Sequence, residues 1–128
     1  MLITLERNSG VPVFRQICEQ VRFQVAAGVL GAGAEVPSTR DLAATLGINP
    51  MTVSKAYALL EQEGVLERRP GLSLMVRGRS GSVAGDARHE ELARLLRPAA
   101  AAARQLGIEP QQALELYRKA LDAPGDDR

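Results

Sequence analysis

The sequence has few of the residues on which many protein classes depend. Its 128 residues include a single cysteine, Cys18, so no internal disulfide and no cysteine metal cluster can form. Aromatic residues make up 3% and tryptophan is absent, which leaves Leu, Val, Ile and Ala to build a core. The formal net charge is only +1. Because bulk basicity is missing, binding of nucleic acid would have to rest on individually placed residues.

Long apolar runs are also missing. The segment Met1–Arg7 contains Glu6 and lacks the apolar stretch that a signal peptide needs. The charge-free stretch Phe23–Ala34 is too short and too rich in glycine to span a bilayer. The sequence therefore predicts a soluble, cytoplasmic protein that does not contact a membrane.

Apolar residues at helical spacing predict a first helix after Pro12. We expect this helix to end near Gly28, and the connector that follows to contain at most a short extended piece at Ala34–Val36. The apolar stripe of the helix consists of Val13, Phe14, Ile17, Cys18, Val21 and Val25.

Two further helices meet at a short turn. Ser38 is a good N-cap for a helix over Thr39–Leu46. Asn49 caps the next helix, in which Pro50 takes the first position. The three residues 47–49 that separate the helices include a glycine, and this spacing is typical of a helix-turn-helix.

A hairpin and a helical tail complete the predicted organisation. The runs Val65–Arg69 and Leu74–Arg77 predict two short strands. Further along, helical periodicity returns, with Pro98 expected to kink or divide the first tail helix and Glu109-Pro110 to start the second. We expect three parts, namely a winged helix-turn-helix domain at 1–78, a linker rich in Gly, Ser and Arg at 79–88, and a helical tail at 89–123.

The stretch from Val36 to Val76 resembles the winged-helix domain of the GntR family of regulators. The resemblance rests on PSTRDLA at Pro37–Ala43, LGINPMTVSKAY at Leu46–Tyr57 and LEQEGVLERR at Leu60–Arg69, followed by Gly71. The pattern Asn-Pro-x-Thr-Val…Ala-Tyr is similar to the branch shared by YtrA-like regulators and aminotransferase-fused MocR-like ones. ARQLGIEP at Ala103–Pro110 resembles the short helical tail of the YtrA-like members.

The resemblance implies a mainly α fold with a small β-hairpin, in which a winged helix-turn-helix precedes a two-helix dimerisation tail. It implies a transcription regulator, a repressor, that binds double-stranded DNA at a palindromic operator as a homodimer. No cofactor, no metal and no enzymatic activity are expected. Whether a small-molecule effector exists is left open.

In such a fold the second helix of the pair enters the major groove, and its N-terminal residues meet base edges. The family implies a backbone contact for Arg40, and the helix N-terminus at Ser38 can bind a phosphate. Gly71 at the hairpin tip permits close approach to the minor groove. The candidate DNA-binding residues are Ser38, Arg40, Asn49, Met51, Thr52, Ser54, Lys55, Arg68, Arg69 and Gly71.

Two segments depart from the family pattern. Pro50 and Met51 stand where members often carry an arginine or a similar donor, so we expect specificity to depend more on DNA shape. The wing usually reads Gly-x-Gly-Thr-Phe-Val, whereas this chain has GLSLMV at Gly71–Val76. The contacts of the wing therefore stay open.

The tail carries an apolar stripe on each predicted helix. Two helices alone bury too little to be stable, so a second copy of the chain is the expected cover. The candidate dimerisation residues are Leu92, Leu95, Leu96, Ala99, Ala103, Leu106, Leu114, Tyr117 and Leu121.

Other interpretations have to be kept beside this one. A winged helix can also serve as a protein-interaction module without DNA activity, and the net charge near zero is compatible with that. A fragment of an aminotransferase-fused regulator fits poorly, since residues 81–128 match the short helical tail. Cys18 and Tyr57 are expected in the core, His89 at the surface, and the Glu90-Glu91 pair in a first helical turn without a catalytic role.

Overall fold

A computed structural model of the chain describes residues 1–77 and 83–123, with the side chains of residues 83–86 outside the description. The described residues form a mainly helical structure with a small β-hairpin, which confirms the predicted fold class. The elements are α1 (Val13–Ala26), α2 (Thr39–Leu46), α3 (Pro50–Gln62), β1 (Leu66–Arg68), β2 (Leu74–Val76), α4 (Val83–Gln105) and α5 (Pro110–Asp122).

The chain divides into two compact units, a first unit at Met1–Glu91 and a second unit at Leu92–Arg128. In the first unit, α3 packs against α1 and α2 and also contacts β1. This central position explains why α3 supplies several fully enclosed side chains. The core is aliphatic, as the shortage of aromatics requires, and its most deeply buried large side chains are Ile17, Val21, Val53, Leu60, Leu66 and Val76.

The strands β1 and β2 pair in antiparallel register, which confirms the predicted hairpin. At its tip the Leu72 N–H donates to the Arg69 carbonyl at 3.0 Å and closes a turn. Pro70 and Gly71 occupy the central positions of this turn. The φ of +74° at Gly71 lies in the left-handed region that the third residue of a type II turn requires.

The other edge of β2 pairs with the connector before α2. The Val76 N–H donates to the Ala34 carbonyl at 2.8 Å, and the Val36 N–H donates to the Leu74 carbonyl at 3.1 Å. A single antiparallel bridge joins Glu35 to Met75. The short extended piece predicted at residues 34–36 is therefore present, and it ties the start of α2 to the wing.

Residues 1–6 lie along α1, where glutamine side chains bind their backbone. Gln20 accepts from the Thr4 N–H at 2.9 Å and donates to the Thr4 carbonyl at 2.7 Å. Gln16 binds the N–H and carbonyl of Glu6 in the same way, both at 2.8 Å. Because the pairs alternate along the segment, Ile3 is left to enter the core. We term this arrangement the glutamine ladder, and its pairs are Gln16–Glu6, Gln20–Thr4 and Gln24–Leu2.

Helix α4 continues through Pro98, so the division considered at this position does not occur. Five alanines, Ala99–Ala103, follow the proline. Since alanine has the highest helix propensity, this run offsets part of the cost of the missing backbone donor. No helix among the described residues has both the length and the hydropathy needed to cross a membrane.

The start of α4 corrects the predicted linker. Residues 83–88 are helical, whereas the sequence suggested a linker over 79–88, of which residues 79–82 lie outside the described residues. The reason is that Ala84, Ala87 and Arg88 are good helix formers and outweigh the cost of about 1 kcal/mol that Gly85 brings.

Candidate functional site

Caps on both sides of one turn fix the geometry of the helix-turn-helix. The Ser38 hydroxyl accepts from the Asp41 N–H at 3.1 Å, and Gly47 ends α2 with a φ of +68°. The Asn49 side chain accepts from the Met51 N–H at 2.8 Å at the start of α3. These caps confirm the predicted helix starts and set the direction in which α3 leaves the turn.

The two sides of α3 differ in exposure. Val53, Ala56 and Leu60 are buried. On the other side, Met51 is 74% exposed at the N-terminal end of the helix. The exposed face of α3 brings together these predicted residues near its N-terminus: Asn49, Met51, Ser54 and Lys55, with Thr52 half-buried beside them.

Tyr57 connects α3 to the entry of α2. Its hydroxyl donates to the Pro37 carbonyl at 2.7 Å, and its ring is buried. Burial raises the pKa of Tyr57, because the charged phenolate would lose its hydration. The prediction that Tyr57 belongs to the core is confirmed. Its hydrogen bond holds Pro37, the residue next to the Ser38 cap.

Arg40 lies exposed in the first turn of α2, close in sequence to the Ser38 cap. Its position leaves the guanidinium accessible to an anion near that helix terminus. The same location puts backbone N–H groups of the first turn beside it, where the positive end of the helix dipole also favours an anion.

The wing brings the other predicted cations to one hairpin. Arg68 and Arg69 are exposed at the end of β1 and just after it. The Arg69 Nε lies 3.0 Å from the Glu67 Oε2, so part of this positive charge is compensated, a contact that the sequence analysis missed. A Cβ added at Gly71 would meet no heavy atom within 4 Å, so the tip of the wing is open.

An aromatic contact at Lys55 was also missed. The Lys55 Nζ lies 4.0 Å from the centroid of the Phe14 ring on α1, and the Arg15 Cζ lies 5.8 Å from the same centroid. Both distances are typical of cation–π interactions. The sequence did contain a signal for this contact. The chain has only two phenylalanines, and one of them, Phe14, lies in the first turn of α1.

Three residues were considered for chemistry other than DNA binding, namely Cys18, His89 and Glu91. Cys18 is buried, its Sγ lies 3.4 Å from the Ala56 carbonyl oxygen, and burial raises the pKa of its thiol. His89 is exposed, as predicted. Glu91 is buried about two turns into α4, which corrects its placement in a first helical turn. The described residues contain no group of three or more His, Cys, Asp or Glu side chains that could hold a metal ion.

The predicted dimerisation residues of the tail are largely accessible in the second unit. Ala103 and Tyr117 are half-buried, and Ala99 is exposed. Leu116, which the sequence analysis did not select, is exposed as well. The predicted leucines are between 37% and 73% exposed, and they are Leu92, Leu95, Leu96, Leu106, Leu114 and Leu121.

The chain is similar to a known protein family. Residues 14–76 match the model described as bacterial regulatory proteins, gntR family. A relative from Bacillus subtilis, the HTH-type transcriptional repressor YtrA, is 39% identical over 70 residues, which are 55% of this chain and 54% of that protein. The matches cover about half or less of the length of the curated relatives.

The similarity to solved structures extends beyond residues 14–76. The structure of a transcriptional antiterminator from Listeria monocytogenes EGD-e aligns with a TM-score of 0.73 and 27% identity, covering 100% of this chain and 96% of that one. YtrA from Sulfolobus acidocaldarius, a GntR-family transcription factor, aligns with a TM-score of 0.58 and 25% identity over 94% of this chain and 97% of that one.

Proposed function

We propose that residues 14–76 are a DNA-binding domain of the GntR family of bacterial regulatory proteins, and that the whole chain is a transcriptional repressor that binds an inverted-repeat operator as a homodimer. It would act in the cytoplasm and would need no cofactor. The B. subtilis relative is named a transcriptional repressor, which supports the direction of regulation.

The observation that carries this proposal is the exposed N-terminal end of α3 beside a capped turn. An α-helix fits the major groove of B-DNA, and polar side chains at its N-terminal end can reach base edges. Thr52 and Ser54 can donate or accept hydrogen bonds there, and Asn49 can do so from the turn. The exposed Met51 side chain suits an apolar contact with a thymine methyl group.

Contacts to the DNA backbone would orient α3 in the groove. We assign Arg40 and the α2 N-terminus at Ser38 to phosphates on one side of the groove. Arg68 and Arg69 in the wing would bind phosphates further along, with the open tip at Gly71 placed near the minor groove. These contacts position the protein without reading sequence.

The homodimer part of the proposal rests on the exposed leucines of the second unit. No residue of α5 is buried, although the helix carries apolar residues on one face. A twofold dimer would cover these side chains and present two α3 helices to an inverted repeat. The assigned interface residues are Leu92, Leu95, Leu96, Ala99, Ala103, Leu106, Leu114, Tyr117 and Leu121.

Binding of the full chain to labelled duplex DNA, titrated against salt, tests the DNA-binding part. We expect Arg40→Ala to weaken binding to every duplex and to reduce the log–log salt slope by about 0.9 for each phosphate that is no longer neutralised. Arg118→Ala, which removes the same charge from an exposed site on α5, is the matched control and should leave binding unchanged. Lack of affinity for duplexes in dilute salt would contradict the proposal and favour a protein-interaction module.

Sedimentation of the full chain tests the homodimer. We expect the wild type to sediment as a dimer and Leu114→Glu to sediment as a monomer with weaker operator binding, since a carboxylate in an apolar interface is costly. The operator would be obtained by selection from random duplexes. A monomeric wild type at concentrations that saturate an inverted repeat would contradict the assigned role of the tail.

A further inference from the structure

Two exposed cations share one aromatic ring between α1 and α3. Lys55 Nζ and Arg15 Cζ lie 4.0 and 5.8 Å from the centroid of the Phe14 ring, so the two charges are within about 10 Å of each other. We refer to Phe14, Arg15 and Lys55 as the cation cluster. Bringing like charges together costs energy unless an anion joins them, so the cluster is suited to bind a negatively charged group.

The ring holds the lysine without neutralising it. Two other arginines of the first unit contact carboxylates, Arg22 with Glu63 and Arg69 with Glu67. A carboxylate cancels most of the charge of its partner, whereas Phe14 carries no net charge. The contact also restricts a long, flexible side chain before a partner arrives, which reduces the ordering cost of binding.

The cluster continues the surface already assigned to DNA. Lys55 follows Met51 and Thr52 by one helical turn, so these residues lie on neighbouring parts of one helix face. Arg15 is exposed in the first turn of α1. The surface proposed to bind DNA therefore extends from the N-terminal end of α3 to the start of α1.

We propose that the cation cluster binds the DNA phosphate backbone beside the major groove, with Phe14 acting as the positioning residue for Lys55. This inference rests on the proposed function and deepens it. It gives Lys55 a contact with phosphate, which is independent of sequence. It also adds Arg15, on α1, to the residues that bind DNA.

The first experiment measures the affinity of the full chain for a fluorescein-labelled duplex of random sequence over a range of salt concentrations. We expect Lys55→Gln and Arg15→Gln each to reduce the log–log salt slope by about 0.9 for each phosphate that the substituted side chain no longer neutralises. The fold loss should be the same on a duplex selected by the wild type, because phosphates carry no sequence information. Arg104→Gln, an exposed position on α4, is the charge-matched control.

The second experiment separates positioning from packing. Phe14→Leu should weaken binding about two- to five-fold at fixed salt, the range expected for an exposed cation–π contact, whereas Phe14→Tyr should retain affinity. In the Lys55→Gln background, Phe14→Leu should add no further loss, because no ammonium remains to be positioned. Thermal unfolding of each variant monitors any change in packing, since Phe14 is half-buried against the core.

The outcomes distinguish the two proposals. If the wild type binds duplex DNA but Lys55→Gln and Arg15→Gln keep its salt slope, the cluster proposal is wrong and the proposed function stands. If Phe14→Leu weakens binding equally with and without Lys55, the ring has a structural role only. If the wild type has no affinity for duplexes even in dilute salt, the proposed function itself fails.

Discussion

Two turns of the molecule share a sequence pattern and a backbone conformation. Helices α2 and α3 are joined through LGINP at Leu46–Pro50, and α4 and α5 through LGIEP at Leu106–Pro110. The glycines have φ values of +68° and +69°. In both turns the isoleucine N–H donates at 3.0 Å to the carbonyl five residues earlier, which is the bond that closes a Schellman motif.

The surroundings of the two turns differ. In the first unit, α3 packs on α1 and α2 and encloses Val53 and Leu60 completely. In the second unit, α5 is described in full and none of its residues is buried. A local sequence therefore determines the turn but does not determine whether the flanking helices have a core to pack against.

Removing one leucine from each unit gives the largest expected contrast. Leu60 is 0% exposed and Leu114 is 61% exposed. Leu60→Ala leaves a cavity in the core and should lower the free energy of unfolding by about 2–5 kcal/mol. Leu114→Ala should leave the unfolding of the first unit unchanged and weaken self-association. Urea unfolding, monitored by circular dichroism, measures the loss of unfolding free energy. Equal losses in Leu60→Ala and Leu114→Ala would contradict the comparison between the two units.

Locally encoded features could be predicted from the sequence. The N-caps at Ser38 and Asn49, the spacing of apolar residues along α1, and the hairpin tip at Gly71 all involve residues within a few positions of one another. Each leaves a recognisable pattern, and the structure contains each one. The location of the candidate site followed from them.

Contacts between distant segments could not be predicted. The glutamine ladder joins α1 to residues 2–6, and a glutamine that binds a distant backbone has the same sequence signature as one in solvent. The contact between Lys55 and Phe14 likewise depends on how α1 and α3 pack. The helical start of α4 at Val83 was hidden by the glycines and serines that precede it.

Replacing a residue of the glutamine ladder tests whether its polar contacts contribute to the stability of the first unit. Gln16 is buried, and besides Glu6 it binds Ser9 Oγ at 3.2 Å and the Val11 carbonyl at 2.9 Å. Gln16→Leu should cost about 1–3 kcal/mol, because several backbone groups lose their partner. Gln112→Leu, on the exposed surface of α5, is the matched control for urea unfolding. A loss no larger than that of the control would show that water replaces the ladder without cost.

The paired glycines test the comparison at the turns themselves. An alanine at Gly47 or Gly107 would meet no heavy atom within 4 Å, so only the left-handed backbone opposes it. That conformation costs about 1–2 kcal/mol for a residue with a Cβ. Gly47→Ala should lower the unfolding free energy of the first unit by this amount, whereas Gly107→Ala should not change it. If both substitutions lowered it equally, unfolding of the two units would be coupled.

The tyrosines give the smallest expected contrast at neutral pH. The chain has two, Tyr57 in the first unit and Tyr117 in the second. Tyr57→Phe removes the hydrogen bond to Pro37 and should cost about 0.5–1.5 kcal/mol, measured by urea unfolding. Tyr117→Phe, at a half-buried position of α5, should leave the unfolding of the first unit unchanged.

Alkaline pH sharpens this last test. Because burial raises the pKa of Tyr57 above its ordinary value of 10.0, the unfolded chain loses the phenolic proton before the folded chain does. The contribution of Tyr57 to the free energy of unfolding is complete below pH 10.0 and is lost as the pH rises above that value. The unfolding free energies of the wild type and Tyr57→Phe should therefore converge at alkaline pH. Burial also raises the pKa of the Cys18 thiol from 9.0, and this contribution remains in both proteins. A difference in unfolding free energy between wild type and Tyr57→Phe that stays constant on both sides of pH 10.0 would mean that the phenol reaches solvent. In that case α3 would be held less firmly over α2 than the packing of the first unit requires.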